Sequence, residues 1–365
     1  MKIAVFHNLY TGGALNYMNN LVKCLSIQNS VDIYSFQKTT PINIKNVKYY
    51  TYDLNKTNNL FQHLFQVLVE LRIKNKIIAE KINSSSNYDL VLIFPCLITQ
   101  SPFLLRYIDQ KKIKTIYFFM ESKREFYEKT TYDHWSLKRI IARIIRCPIK
   151  LIDLSNCKKS NIIVSLSCYS SNLLKKVYKK KSFVIHPGLI NIKPKTKFKN
   201  NNQQFISVGL LSAIKGHDFS IQQTTKNNCN LLIIGRENKN EIIPTNSSNT
   251  KIIHTENNKL VYKLTKKATF FLANQINEPF GISTLEASSL NTFVLGKNEG
   301  GTPEIVRHGL NGFLYPSNLP LAIKITNKFK NIKQLRYQKT CKISWSKTTH
   351  NLLTLYHHLK NEPTE

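Results

Sequence analysis

Short apolar runs alternate with amphipathic stretches along the whole chain. Segments 3–6, 31–36, 88–94, 113–119, 161–165 and 183–188 are brief, rich in Val, Ile, Phe and Tyr, and bounded by polar residues, the signature of buried strands. Between them, 14–25 carries apolar Leu15, Met18, Leu21, Val22 and Leu25 at helical spacing. A longer helix is predicted over 60–82, its apolar face formed by Leu60, Phe61, Leu64, Phe65, Leu68 and Leu71, and shorter ones over 103–108 and 170–180. The polar, basic stretch 193–204 breaks the pattern and reads as a linker. The alternation then restarts, with strands at 205–208, 231–235, 251–254, 270–273 and 292–295. Helices are predicted from His217, over 260–266, from Ser283, from Thr302, and over 319–335 and 345–359. Strand and helix in turn predict an α/β fold with parallel sheets covered on both faces, whose ligands sit at the carboxyl ends of strands. The restart predicts two domains, 1–192 and 205–342.

Size agrees with that division, because 365 residues exceed one ordinary core. The formal charge of +32 favours anionic partners such as a membrane surface, nucleic acid or phosphorylated substrates, although heavy use of Lys, Asn and Ile throughout also raises it without selection. No RNA- or DNA-binding module is present, so no specific nucleic-acid partner is expected. Seven scattered cysteines without C-x-x-C spacing indicate neither a disulfide framework nor a zinc site, which fits a reducing cytoplasm. Residues 1–6 run straight into His7-Asn8 and read as a first strand rather than a signal peptide. No apolar run is long enough to span a bilayer. Segment 137–150 has Leu137, Ile140, Ile141, Ile144, Ile145 and Ile149 on one helical face and five cations off it, with Pro148 expected to kink or end the helix. It is either a core helix with a basic outer face or an interfacial helix on anionic lipid.

The densest chemistry lies in 270–316. Glu278 precedes Pro279, so its backbone is extended and its side chain is free to leave the loop. Glu286 stands one turn into the next helix, where it either closes a capping box with Ser283 or faces a ligand. The helix start at Ile282, Ser283 and Thr284 offers free N–H groups to a phosphate, and carboxylates accept from sugar or ribose hydroxyls. Phosphate and sugar side by side suggest a nucleotide-sugar. Two further glycine loops, at Gly12-Gly13-Ala14 and from Gly209 to Lys215-Gly216, each stand between a strand and a helix.

These residues carry a resemblance. E-P-F-G-I-S-T-L-E from Glu278 to Glu286, followed by G-G-T-P-E-I-V and H-G-L-N-G, resembles glycosyltransferase family 4, retaining enzymes of the GT-B fold with two Rossmann-like domains facing across a cleft. The resemblance implies that segment 343–365 ends in a helix crossing back to the first domain. It implies that Glu286 holds the nucleotide ribose and that Glu278, a catalytic residue with Lys215, holds the transferred sugar. Gly12, Gly13, Gly209, Phe280, Gly281, Ile282, Ser283 and Thr284 would complete the donor site, with Lys215 on the diphosphate. Glu121, Arg124 and Tyr127 would serve the acceptor side. Leu210 stands where relatives carry an arginine, and Met120 where they carry a sugar-facing histidine. No metal and no cofactor are expected, only a nucleotide-diphosphate sugar as substrate and a glycan or lipid-linked acceptor. The setting implied is surface polysaccharide or glycolipid assembly in the cytoplasm, at the inner face of the membrane. The alternative reading is an impaired GT-B scaffold that binds lipid or nucleic acid through its basic surface.

Overall fold

The structure, a computed structural model, describes residues 1–9, 12–36, 44–85, 87–128, 144–189, 204–237, 248–316 and 343–361. The expected linker up to residue 203, the helix over 319–335 and the first half of 137–150 lie outside the described residues. The chain divides into two compact units, Met1–Pro187 with Trp345–Glu365, and Gly188–Ser344.

The first unit is built on a seven-stranded sheet of β1 (Lys2–Asn8), β2 (Ser30–Ser35), β3 (Val47–Thr51), β4 (Leu90–Cys96), β5 (Lys114–Phe119), β6 (Ile162–Ser165) and β7 (Phe183–Val184). Their order is β3-β2-β1-β4-β5-β6-β7, and every pairing is parallel. The central strands are apolar on both faces, as strands sandwiched between helices must be: Val5 lies opposite Ile33 on one side and Leu92 on the other. The terminal helix Trp345–Asn361 belongs to this unit and packs on helix Gly13–Leu25, with Trp345 edge-on to Tyr17 at 5.1 Å.

Three expectations change here. The edge strand β3, Val-Lys-Tyr-Tyr-Thr, was not predicted, because its residues are half-exposed and show no apolar run. The long helix exists, but as Leu60–Phe65 and Leu71–Ser84 joined by a π-helical turn Gln66–Glu70. Its core face is also different: Val67, Leu71, Ile78, Ala79 and Ile82 are buried, whereas Phe61, Phe65 and Leu68 are exposed. The wider turn points Gln66 and Glu70 inward, where Gln66 Nε2 donates to the Asn55 carbonyl at 2.7 Å and Glu70 Oε1 accepts from the Asn55 N–H at 2.8 Å. At Pro148 the expected break is present: helical residues 144–145 give way to a turn at Arg146, and a new helix begins at Cys147. Pro148 sits in the first turn of Cys147–Lys158, where its missing N–H has no partner to lose.

The second unit has a six-stranded parallel sheet of β8 (Gln204–Val208), β9 (Asn230–Gly235), β10 (Thr250–His254), β11 (Phe270–Ala273), β12 (Phe293–Lys297) and β13 (Gly312–Tyr315). The order is β10-β9-β8-β11-β12-β13. Counted from the first strand of the unit this is 3-2-1-4-5-6, the doubly wound order whose ligand crevice opens where the winding reverses. The reversal falls between β8 and β11. The loops leaving those two strands are 209–216 and 274–281, the two loops that the motifs single out.

Candidate active site

The loop after β8 tightens into a short 3₁₀ turn, Ala213–Lys215, and closes on Gly216. Gly216 has φ +68°, and a Cβ there would collide with the Asn274 carbonyl oxygen, so backbone meets backbone with no room for a side chain. The Ile276 N–H donates to the Ile214 carbonyl at 2.9 Å, pinning one loop to the other. Beneath them runs a buried polar chain. Tyr315 donates to Asn274 Oδ1, Asn274 Nδ2 donates to Ser220 Oγ at 2.7 Å, and the Ser220 hydroxyl donates to the Gly216 carbonyl at 3.0 Å. His217 adds a second brace: one ring nitrogen faces the Leu210 carbonyl and the other the Ser207 hydroxyl, both at 3.2 Å. Burial lowers the His217 pKa to about 4. The ring is therefore neutral, with Nε2–H donating to Leu210 and Nδ1 accepting from Ser207.

This bracing brings two predicted residues together. Lys215 Nζ donates to Glu278 Oε2 at 2.7 Å, with both side chains mostly shielded. The lysine stem runs over Gly209, where a Cβ would sit 3.4 Å from its Cγ and Cδ. Glu278 is held by its own backbone, whose carbonyl accepts from the Gly301 N–H at 2.8 Å. Phe280 is buried behind it.

Helix Ile282–Ser289 starts from Gly281 as N-cap, with no side-chain cap. Ser283 thus lies inside the first turn, and the capping-box reading of Ser283 and Glu286 does not hold. Glu286 instead accepts from Tyr262 Oη at 2.8 Å, across from helix Asn258–Lys267. Burial pushes the Glu286 carboxyl up to about 7, and the Tyr262 hydrogen bond pulls it part of the way down. Tyr262 carries no motif and no sequence spacing points to it; only the packing of two helices does. Thr284 is buried, its hydroxyl unpaired among the described residues. Asn311 of H-G-L-N-G is structural: its side chain accepts from the Arg307 N–H at 2.7 Å and donates to the Ser288 hydroxyl at 2.8 Å.

In the first unit, Gly12 is the N-cap of helix Gly13–Leu25 with φ 137°, a backbone that glycine takes readily. At the carboxyl end of β5, Glu121 and Arg124 pair at 3.0 Å, and the Glu121 carbonyl accepts from Gln100 Nε2 at 2.8 Å. Tyr127 turns inward. Its hydroxyl meets the Lys150 carbonyl at 3.5 Å and the buried Asp153 carboxylate, which also accepts from Ser101 and Tyr178 at 2.6 Å each. Burial holds the Tyr127 pKa well above its ordinary range. Met120, at the place of the expected histidine, is buried.

Both units therefore present the GT-B class of architecture, two doubly wound parallel sheets in one chain. Residues 190–342 match the family described as Glycosyl transferases group 1. An uncharacterized glycosyltransferase of Methanocaldococcus jannaschii is 28% identical over 140 residues, which span 35% of this chain and 36%, about a third, of that protein. Among solved structures, sucrose-phosphate synthase from Thermosynechococcus elongatus is similar with a TM-score of 0.74 at 14% identity, over 98% of this chain and 99% of that one. Anabaena HepE, solved in complex with UDP-glucose, has a TM-score of 0.64 at 15% identity over 99% and 98%. These likenesses show the fold. The family match covers the second unit.

Proposed function

We propose that the chain is a retaining glycosyltransferase of family 4 that moves a sugar from a nucleotide-diphosphate sugar to a glycan or lipid-linked acceptor. The observation that carries this reading is the Lys215–Glu278 pair at the winding reversal of the second sheet, with Glu286 on the adjoining helix. Fixed donors and acceptors at such a crevice suit a ligand with both phosphate and hydroxyl groups. Glu286 accepts from the ribose hydroxyls and Glu278 from those of the sugar. Lys215 and the N–H groups at Ile282, Ser283 and Thr284 offset charge on the departing diphosphate, without a bound metal.

In the reaction the acceptor oxygen bonds to the anomeric carbon as that carbon's bond to the β-phosphate oxygen breaks. The leaving phosphate takes the acceptor's proton, so no dedicated protein base is needed. In the first unit, Glu121 and Arg124 serve the acceptor. Tyr127 acts by holding that loop rather than by touching substrate, since its hydroxyl is engaged inward. HepE with UDP-glucose and a lipopolysaccharide galactosyltransferase among the structural neighbours support a nucleotide-sugar donor and a surface-glycan setting.

The test is a screen of sugar-nucleotides for slow hydrolysis, paired with thermal stabilisation by nucleoside diphosphates. Stabilisation by one diphosphate and hydrolysis of the matching sugar-nucleotide are expected. A protein that responds to none of them, yet binds duplex nucleic acid with steep salt dependence, would overturn the reading in favour of a binding scaffold.

A further inference from the structure

The helix over 60–84 is apolar on two opposite sides. Inward, Val67, Leu71, Ile78, Ala79 and Ile82 enter the core of the first unit. Outward, Phe61, Phe65, Val69, Ile73 and Ile77 recur at every fourth residue, flanked by Leu68. Phe61 is 83% exposed, Phe65 59%, Ile73 54% and Ile77 44%. Residues four apart stand one above another on a helix, so these five form one continuous ladder, roughly 24 Å long. A helix at a water-facing surface carries polar residues there; a run of phenylalanine and isoleucine marks a surface that meets something apolar.

The rim identifies the occupant. Arg72, Lys76 and Lys81 are exposed beside the ladder and Lys74 partly so, against one exposed acid, Glu80. The other acid of the helix, Glu70, is turned inward to Asn55. At the Phe61 end, near His63, Arg146 and Lys123 are both paired with Glu125, at 2.8 Å and 3.9 Å, so that end adds one net positive charge to the rim. Exposed Ile144 (68%) precedes Arg146 in the chain. An apolar ridge rimmed by cations, convex along a single helix, suits a plane of acyl chains beneath anionic headgroups.

We propose that the outer face of this helix, Phe61, Phe65, Val69, Ile73 and Ile77 with Arg72 and Lys76, docks the protein on an anionic lipid bilayer. The surface lies wholly within the first unit, and its proposed role needs no nucleotide. It would hold the first unit where a lipid-linked acceptor is presented.

Flotation of the full-length protein with phosphatidylcholine vesicles, with and without phosphatidylglycerol, tests it. The wild type should float with the anionic vesicles and remain behind with the neutral ones. Phe61→Ser with Phe65→Ser, or Ile73→Ser with Ile77→Ser, should weaken anionic binding by about tenfold or more, and Arg72→Gln with Lys76→Gln by about tenfold. Thermal stability and the nucleotide response of these variants should match wild type, since the side chains replaced are exposed. A wild type that floats with neither vesicle, or serine variants that float as well as wild type, would overturn the proposal. So would a dimer, seen by light scattering and lost in the serine variants, without vesicle capture: the face would then join copies of the chain. A missing nucleotide response with intact flotation would instead remove the donor reading and leave this one.

Discussion

Lys215 and Glu278, 63 residues apart, form a 2.7 Å charged hydrogen bond between the loops that leave the first and fourth strands of the second sheet. Each residue holds the other's side chain in place, so the two loops present a pre-set pair instead of two mobile charges. Lys215→Ala should therefore lower turnover by about 10²–10³, the scale of removing one charge-stabilising donor. Because the two groups touch, Lys215→Ala and Glu278→Ala combined should cost less than the sum of the two singles in log rate. Initial rates for wild type, both singles and the double close this cycle. Additive losses would mean that the pair has no joint role.

Tyr262 supplies the hydrogen bond that orients Glu286 and favours its ionised form. Tyr262→Phe should weaken nucleoside diphosphate affinity by about fivefold, near 1 kcal/mol for one lost hydrogen bond, with turnover at saturating donor little changed. Removing that bond also raises the Glu286 pKa, so the acid limb of the affinity profile should move to higher pH. Calorimetric titration across pH reads both. Glu286→Ala should likewise weaken nucleotide binding more than it slows bound donor, and the reverse pattern would exchange the roles of the two glutamates.

Much of this was legible from the chain, for reasons that differ from residue to residue. Strands such as Phe270–Ala273 are buried on both faces and so appear as unbroken apolar runs, which also made the parallel sheets readable. The edge strand Val47–Thr51 was not legible because half-exposed tyrosines leave no run. In the helix over 60–84, the π turn rotates the core side away from where a 3.6-residue period places it, so Phe61, Phe65 and Leu68 of the expected apolar face are exposed while Leu71 is buried. Glu278 and Lys215 were found through motifs, since their loops are short and local. Tyr262, Asn274 and His217 act through contacts between elements distant in sequence, and a single chain carries no spacing rule for those. Ser283 with Glu286 fits a capping box by spacing alone, but the helix starts one residue earlier, at Ile282, and its cap is a glycine.

The glycines around the site should separate close contact from backbone freedom. Gly216→Ala places a methyl against the Asn274 carbonyl and also strains a φ of +68°, so it should cost more than about 3 kcal/mol and displace Lys215. Gly12→Ala meets no atom within 4 Å and strains only a φ of +137°, which should cost about 1–2 kcal/mol. Urea denaturation of both variants gives the comparison. Equal losses would show that backbone strain alone decides.

Glu286 should also leave a mark on stability. Its ordinary value is 4.5, and burial raises it to about 7 in the folded chain. Between those values the folded state binds more protons than the unfolded one, so this group makes the protein less stable as pH rises from about 4.5 to 7, with no further change above. Glu286→Gln removes the ionisation but keeps an oxygen to accept from Tyr262. The variant should therefore match wild type near pH 4 and exceed it near pH 8, by on the order of 1–2 kcal/mol once partial exposure is discounted. Thermal melts at the two pH values test the sign, and a less stable variant near pH 8 would refute it. Stabilisation by nucleoside diphosphate should fall in the same variant. A carboxylate that weakens the fold and strengthens nucleotide binding is kept for its ligand, since a residue serving the fold alone would lose stability when replaced.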